Sequence, residues 1–66
     1  MRIEILVRKV RKKKKIKFEV LAKNAGISKS TLSKIERGEE DPRFSTMVLI
    51  ALALKVDVKD LYKIHY

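Results

Sequence analysis

At 66 residues, 45% of them hydrophobic, the chain makes one small domain near the lower limit for a self-supporting core. It has no cysteine, hence no disulfide and no thiolate metal site, which suits a reducing cytosol. No signal peptide is visible, and the longest apolar run, Met47 to Leu54, is far short of the roughly twenty residues a bilayer span takes. The net charge of +9 is lopsided: residues 1–38 hold 13 Lys+Arg and 3 Asp+Glu, while residues 39–66 hold 4 and 5. Charge serving solubility alone would be spread evenly, so a basic half joined to a near-neutral half reads as a polyanion-binding surface with a packing domain behind it.

Met1, Ile3 and Ile5 alternate with Arg2 and Glu4, and Tyr62, Ile64 and Tyr66 alternate with Lys63 and His65. Period two argues for short strands, and the two ends can pair as an antiparallel ribbon; the competing reading starts helix 1 near Ile3 and lets the C-terminus fray. Helix 1 is expected from about Leu6 to Lys13, with Leu6, Val7 and Val10 inward. Lys12, Lys13, Lys14 and Lys15 follow, flanked by Arg8, Lys9, Arg11 and Lys17. They read either as a solvated turn or as a phosphate-seeking patch that adds affinity without sequence information, and their place beside the next segment favours the patch.

That segment, Ile16 to Gly38, reads as helix, tight turn, helix. Leu21 and Ala22 give helix 2 (about Phe18 to Lys23) its apolar side. Asn24-Ala25-Gly26 breaks it, with Gly26 where a positive φ is needed. Ser28 is placed as N-cap of helix 3 (about Lys29 to Arg37), and Ile27 with Leu32 as a hydrophobic staple. Leu32 and Ile35 face inward, Lys29, Ser30, Ser33, Lys34 and Arg37 outward, and Gly38 ends the helix. Glu39-Glu40-Asp41 lacks the spacing of a cation loop and reads as solvated, with Arg43 placed to offset it. Pro42 stiffens this loop. Ser45 can cap helix 4, about Thr46 to Leu54, with Phe44 and Leu49 as a second staple. MVLIALAL has no polar side, so beyond the core set Met47, Ile50, Ala51 and Leu54 it leaves Leu49 and Leu52 for another contact or for cover by the ribbon. Asp57, with Asp60 three residues on, can cap a short helix 5.

The ordered set Leu21-Ala22, Gly26-Ile27-Ser28, Leu32-Ser33 and Ile35-Glu36-Arg37-Gly38 resembles the helix-turn-helix of the phage repressor and Cro type, the XRE family. The match continues through Pro42, Thr46, Ile50-Ala51, Leu54, Val56 and Asp60-Leu61, with Val7, Val10 and Arg11 upstream, and so covers nearly the whole chain. The resemblance implies a single all-α domain over residues 1–66: a five-helix repressor-like fold, its helix-turn-helix at about 17–37, with a terminal ribbon as in some compact members. It places helix 3 in the major groove, with Ser28, Lys29, Ser30, Ser33 and Lys34 at base edges. Lys12, Lys13, Lys14, Lys15, Lys17, Thr31, Arg37 and Arg43 fall to phosphates, and Arg11 with Glu36 to a structural ion pair. Leu49 and Leu52 stand where the family usually has polar residues, and with Leu61 and Tyr62 they are assigned on that ground to a dimer or partner surface. Lys55 stands where the family often has Gly, which implies a left-handed residue. One departure is marked: where the family has Ser or Thr and then Gln at the start of helix 2, this chain has Lys17 and Phe18, which can neither cap the helix nor donate to a phosphate as an amide does. Lys17 can substitute as a point charge, or Phe18 can pack on sugar or on a partner.

The expected function is sequence-specific binding of double-stranded DNA by a transcriptional regulator, a repressor acting as a homodimer on an operator, in the cytoplasm at the nucleoid of a prokaryote or phage-infected cell. Two alternatives stand beside it: an antitoxin or controller-type protein that binds DNA and a protein partner, and a non-specific polyanion or RNA-binding module. One His, no Cys and no Gly-rich phosphate loop give catalysis no support. No cofactor, metal, membrane or small-molecule ligand is expected.

Overall fold

Eleven apolar side chains, drawn from every helix and from the turn before the last strand, are buried together, and no polar or charged residue is buried with them. The computed structural model describes all residues 1–66: β1 (Arg2–Ile5), α1 (Val7–Lys13), α2 (Phe18–Ala25), α3 (Lys29–Glu36), α4 (Phe44–Leu54), a single 3-10 turn (Val58–Leu61) and β2 (Tyr62–His65). α4 supplies Met47, Ile50, Ala51 and Leu54 to the core and packs chiefly on α2. Leu21, Ala22 and Ala25 come from α2, Leu32 and Ile35 from α3, Val7 from α1 and Leu61 from the 3-10 turn.

Each of the four helices ends in the same hydrogen-bonded closure. A residue at positive φ donates its N–H three residues back, and the next residue donates five back, which satisfies two carbonyls the helix would leave open. Lys15, Gly26, Gly38 and Lys55 hold the left-handed positions, at φ 58, 71, 75 and 59°. The outer bonds are Ile16 N–H to Arg11 O, Ile27 to Ala22, Glu39 to Lys34 and Val56 to Ala51, all 2.9–3.1 Å. Two lysines therefore sit where a Cβ is strained; Lys55 was expected there and Lys15 was not.

The termini do pair. β1 and β2 run antiparallel with Arg2 opposite His65, Ile3 opposite Ile64, Glu4 opposite Lys63 and Ile5 opposite Tyr62. Alternation then gives one face of the ribbon Ile3, Ile5, Tyr62 and Ile64 and the other Arg2, Glu4, Lys63 and His65. On the charged face the Glu4 carboxylate meets His65 Nε2 at 2.8 Å and Lys9 Nζ of α1 at 3.5 Å. These contacts, the His65 hydrogen bond first, hold the Glu4 carboxyl below its ordinary value.

Four expectations are corrected. The fifth helix is one 3-10 turn, because only four residues separate Asp57 from the ribbon; Asp60 Oδ2 still accepts from the Asp57 N–H at 3.2 Å, the return half of a capping box. α2 runs on through Ala25, since Asn24 and Ala25 are helical and Gly26 alone ends it. α4 begins at Phe44: the residue after Pro42, Arg43, takes the extended cap conformation, so Ser45 lies inside the helix and Phe44 projects into solvent instead of stapling Leu49. Leu61 is fully buried beneath the ribbon turn and belongs to the core, so it is unavailable to a partner surface.

Replacing Lys55 by Gly is expected to raise stability by up to about 1 kcal/mol, the relief of left-handed strain less the backbone freedom glycine adds to the unfolded chain; urea unfolding reads it, and no gain would contradict the strain. Because the folded Glu4 carboxyl lies below its ordinary value, its contribution is present above the unfolded value and lost as pH falls through the folded one. The stability advantage of the wild type over Glu4→Gln is therefore expected to be largest near neutral pH and to shrink on acidification through the carboxylate range, measured by thermal unfolding across that range.

Candidate nucleic-acid interface

α3 is fixed before any ligand arrives. Its N-cap, Ser28, is extended at φ −71°, and its hydroxyl oxygen accepts from the Thr31 N–H at 3.0 Å while donating to Thr31 Oγ1 at 2.9 Å. Leu32 and Ile35 anchor its inner side in the core. Its far end is held by Arg11 of α1, whose Nε and Nη2 donate to the two carboxylate oxygens of Glu36 at 2.8 and 3.1 Å. The same guanidinium donates from Nη1 to the Ile16 carbonyl at 3.1 Å and lies 5.6 Å from the centroid of the Phe18 ring. Only 12% of the Arg11 side chain and 6% of the Glu36 side chain remain exposed. The Glu36 hydrogen bond raises the Arg11 pKa, which keeps the guanidinium charged.

This places the expected site residues unevenly. Lys29, Ser30 and Lys34 are exposed on α3 with no hydrogen-bonded partner, so they are the side chains free to meet base edges. Ser33 is half-buried on the same helix. Ser28 and Thr31 already hold each other, and their first role is to start the helix. Lys12 and Lys13 at the end of α1 and Lys14, Lys15 and Lys17 in the α1–α2 connection are all exposed, and the left-handed Lys15 turns the chain there. Lys17 is the N-cap of α2 without a side-chain hydrogen bond, as its chemistry requires. Arg37, not Arg43, answers the acidic loop: its Nε is 2.9 Å from Glu39 Oε2, which reduces its availability to a phosphate. Arg43 caps α4 by backbone conformation and is exposed.

Phe18 is half-buried against the core edge and under the Arg11 guanidinium, which accounts for an apolar residue at a position where the resemblance implied a polar anchor. Arg8 was not among the expected contacts. It lines a shallow polar hollow of about 280 Å³ with Arg11, Phe18, Ser33, Glu36 and Arg37, where α1, α2 and α3 meet. Its spacing three residues before Arg11 on one helix face was the available clue. No group of three or more His, Cys, Asp or Glu side chains is placed to hold a metal ion, and no helix is long and apolar enough to cross a membrane.

Two short helices joined by a glycine turn, the second rigid and basic on its outer side, define a DNA-binding domain. The family model described as helix-turn-helix matches residues 7–61. The chain belongs to that family, of the XRE type, whose members are DNA-binding transcription regulators. Among solved structures it is similar to the restriction-modification controller protein C.AhdI from Aeromonas hydrophila, with a TM-score of 0.78 and 26% identity over 82% of each chain. No curated protein sequence matched the chain.

Removing Arg11 would leave Glu36 charged and almost wholly shielded. Arg11→Ala is expected to cost about 3–5 kcal/mol. Arg11→Lys is expected to recover only part of this, because an ammonium cannot make the two-pronged contact. Urea unfolding separates the three proteins, and a lysine variant as stable as the wild type would refute the geometric part of the argument.

Proposed function

We propose that this chain is a sequence-specific regulator that binds an operator in double-stranded DNA as a homodimer and acts as a repressor. The observation that carries the reading is the free, rigidly held outer side of α3: Lys29, Ser30 and Lys34 exposed on a helix capped at one end by Ser28 and clamped at the other by Arg11. An α-helix of this kind fits the major groove, and lysines there donate to guanine O6 and N7. Ser33 joins the base-facing set, and Ser28 reaches it only from the cap. Lys12 to Lys15, Lys17, Arg37 and Arg43, with the Thr31 backbone end of the helix, serve phosphates and set affinity and register without reading sequence. One such helix reads few base pairs, so two copies on half-sites about one helical turn apart supply useful specificity. Leu49, Leu52 and Tyr62 remain exposed for the protein contact. The setting is the cytoplasm, at the nucleoid of a prokaryote or an infected cell.

The likeness to a restriction-modification controller protein supports a controller-type role; in a second form of this reading the same domain also binds a protein partner, through the exposed Leu49 and Leu52. Co-purification of a protein encoded beside its own gene would select it.

Fluorescence anisotropy against DNA from upstream of its own gene and against a scrambled duplex, at two salt concentrations, tests the proposal. Lys34→Ala is expected to lose about 1–3 kcal/mol of discrimination at one base position. Changing Lys12 to Lys15 to Gln is expected to weaken both duplexes equally and lower the salt slope by about one per lysine. Equal losses on both duplexes for Lys34→Ala would contradict reading by α3 and leave the lysine run as a general polyanion site.

A further inference from the structure

The proposed dimer needs a contact surface, and the structure offers two apolar ones of unequal size. Leu49 and Leu52 on the outer side of α4 are 46% and 69% exposed. Two leucines at these exposures present roughly 250 Å², well below the ~800 Å² per partner of a standard stable interface. The second surface is the ribbon. Its register sets Ile3 against Ile64 and Ile5 against Tyr62, and continues Met1 towards Tyr66, all on the face away from Arg2, Glu4, Lys63 and His65. Ile3 is 55% exposed, Ile64 and Tyr62 36% each, and Phe44 at the head of α4, 74% exposed, stands across from them. Met1, Ile3, Ile5, Phe44, Met47 and Tyr62, with Asp41 and Pro42, line an open groove of about 500 Å³ between the ribbon and α4.

We infer that a second copy of this chain seats on the apolar face of the ribbon and on Phe44, forming a two-fold contact in which each ribbon covers the other's groove. The inference rests on the dimeric reading above and names its surface. Area favours it: with Tyr66, the exposed side chains here present on the order of 800 Å², which a stable interface requires and which exceeds the apolar patch of about 300–600 Å² usual on a monomer. Charge favours a like partner. α4 has no charged residue along its eleven positions, and Arg2, Glu4, Lys63 and His65 lie on the ribbon's other face, so two copies meeting here bring few like charges together. A two-fold contact requires a self-complementary patch, and a mostly apolar surface, with Asp41 the one charged side chain lining its groove, meets that condition.

The test compares three full-length proteins by sedimentation equilibrium. Ile3→Glu with Ile64→Lys puts charge on the face while keeping an attractive cross-strand pair, so the ribbon is not forced open. Leu49→Gln with Leu52→Gln changes the other surface. The expected result is a wild-type dimer, at least a hundredfold weaker self-association in the ribbon variant, and little change in the leucine variant. A wild type that dimerises, an unaffected ribbon variant and a monomeric leucine variant would overturn the inference and keep the dimeric reading. A wild type monomeric at hundreds of micromolar, both free and on operator DNA, would overturn both. Should the ribbon variant fail to fold, amide shifts of the wild type on dilution decide the matter: changes at Ile3, Phe44 and Ile64 support the inference, and changes confined to Leu49 and Leu52 overturn it.

Discussion

Arg11 belongs to α1, yet its guanidinium bonds to the end of α3, to the carbonyl of Ile16 before α2, and stacks on the ring that begins α2. In a domain with eleven buried residues, apolar packing alone leaves short helices some freedom to rotate and slide. A planar fork matched to a carboxylate permits one geometry. The attitude of α3 towards α2 is what any ligand of the helix-turn-helix encounters, so the pair acts on recognition by fixing direction and contributes little net stability of its own. Phe18 completes the arrangement by shielding the guanidinium from water, where an amide would have reached outwards.

The same division runs through the charges. The cations of α3 and of the lysine run, Lys29, Lys34 and Lys12 to Lys15, make no ion pair, whereas Arg11, Lys9 and Arg37 are bonded to Glu36, Glu4 and Glu39. The basic half of the chain is therefore both a scaffold and a surface, and the two roles fall to different side chains.

Much of this was legible in the sequence because local rules and the fold agree. Period-two ends became the ribbon, Gly26 and Gly38 closed their helices, and Ser28 capped α3, each enforced by a backbone position with few alternatives. The Arg11–Glu36 pair came through likeness to a family, since no local pattern links residues 25 apart. The misreadings share a cause. Whether Ser45 or Arg43 caps α4, and whether Leu61 faces in or out, depends on how the Pro42 loop and the terminal turn meet the core, which no window of sequence contains. At the candidate interface the order of side chains could be read, but not their prior engagements: Ser28 with Thr31 and Arg37 with Glu39 emerge only when both partners are placed.

Lys15 gives this a practical edge. It is the last lysine of the run of four, two residues beyond the end of α1, and it holds a conformation that glycine would adopt more easily. At Lys55, on the far half of the chain, strain can be relieved without touching the basic face. At Lys15 it cannot. A laboratory screen for heat resistance would be drawn to both positions, and at Lys15 the hardier protein would surrender one of the charges that attract a polyanion.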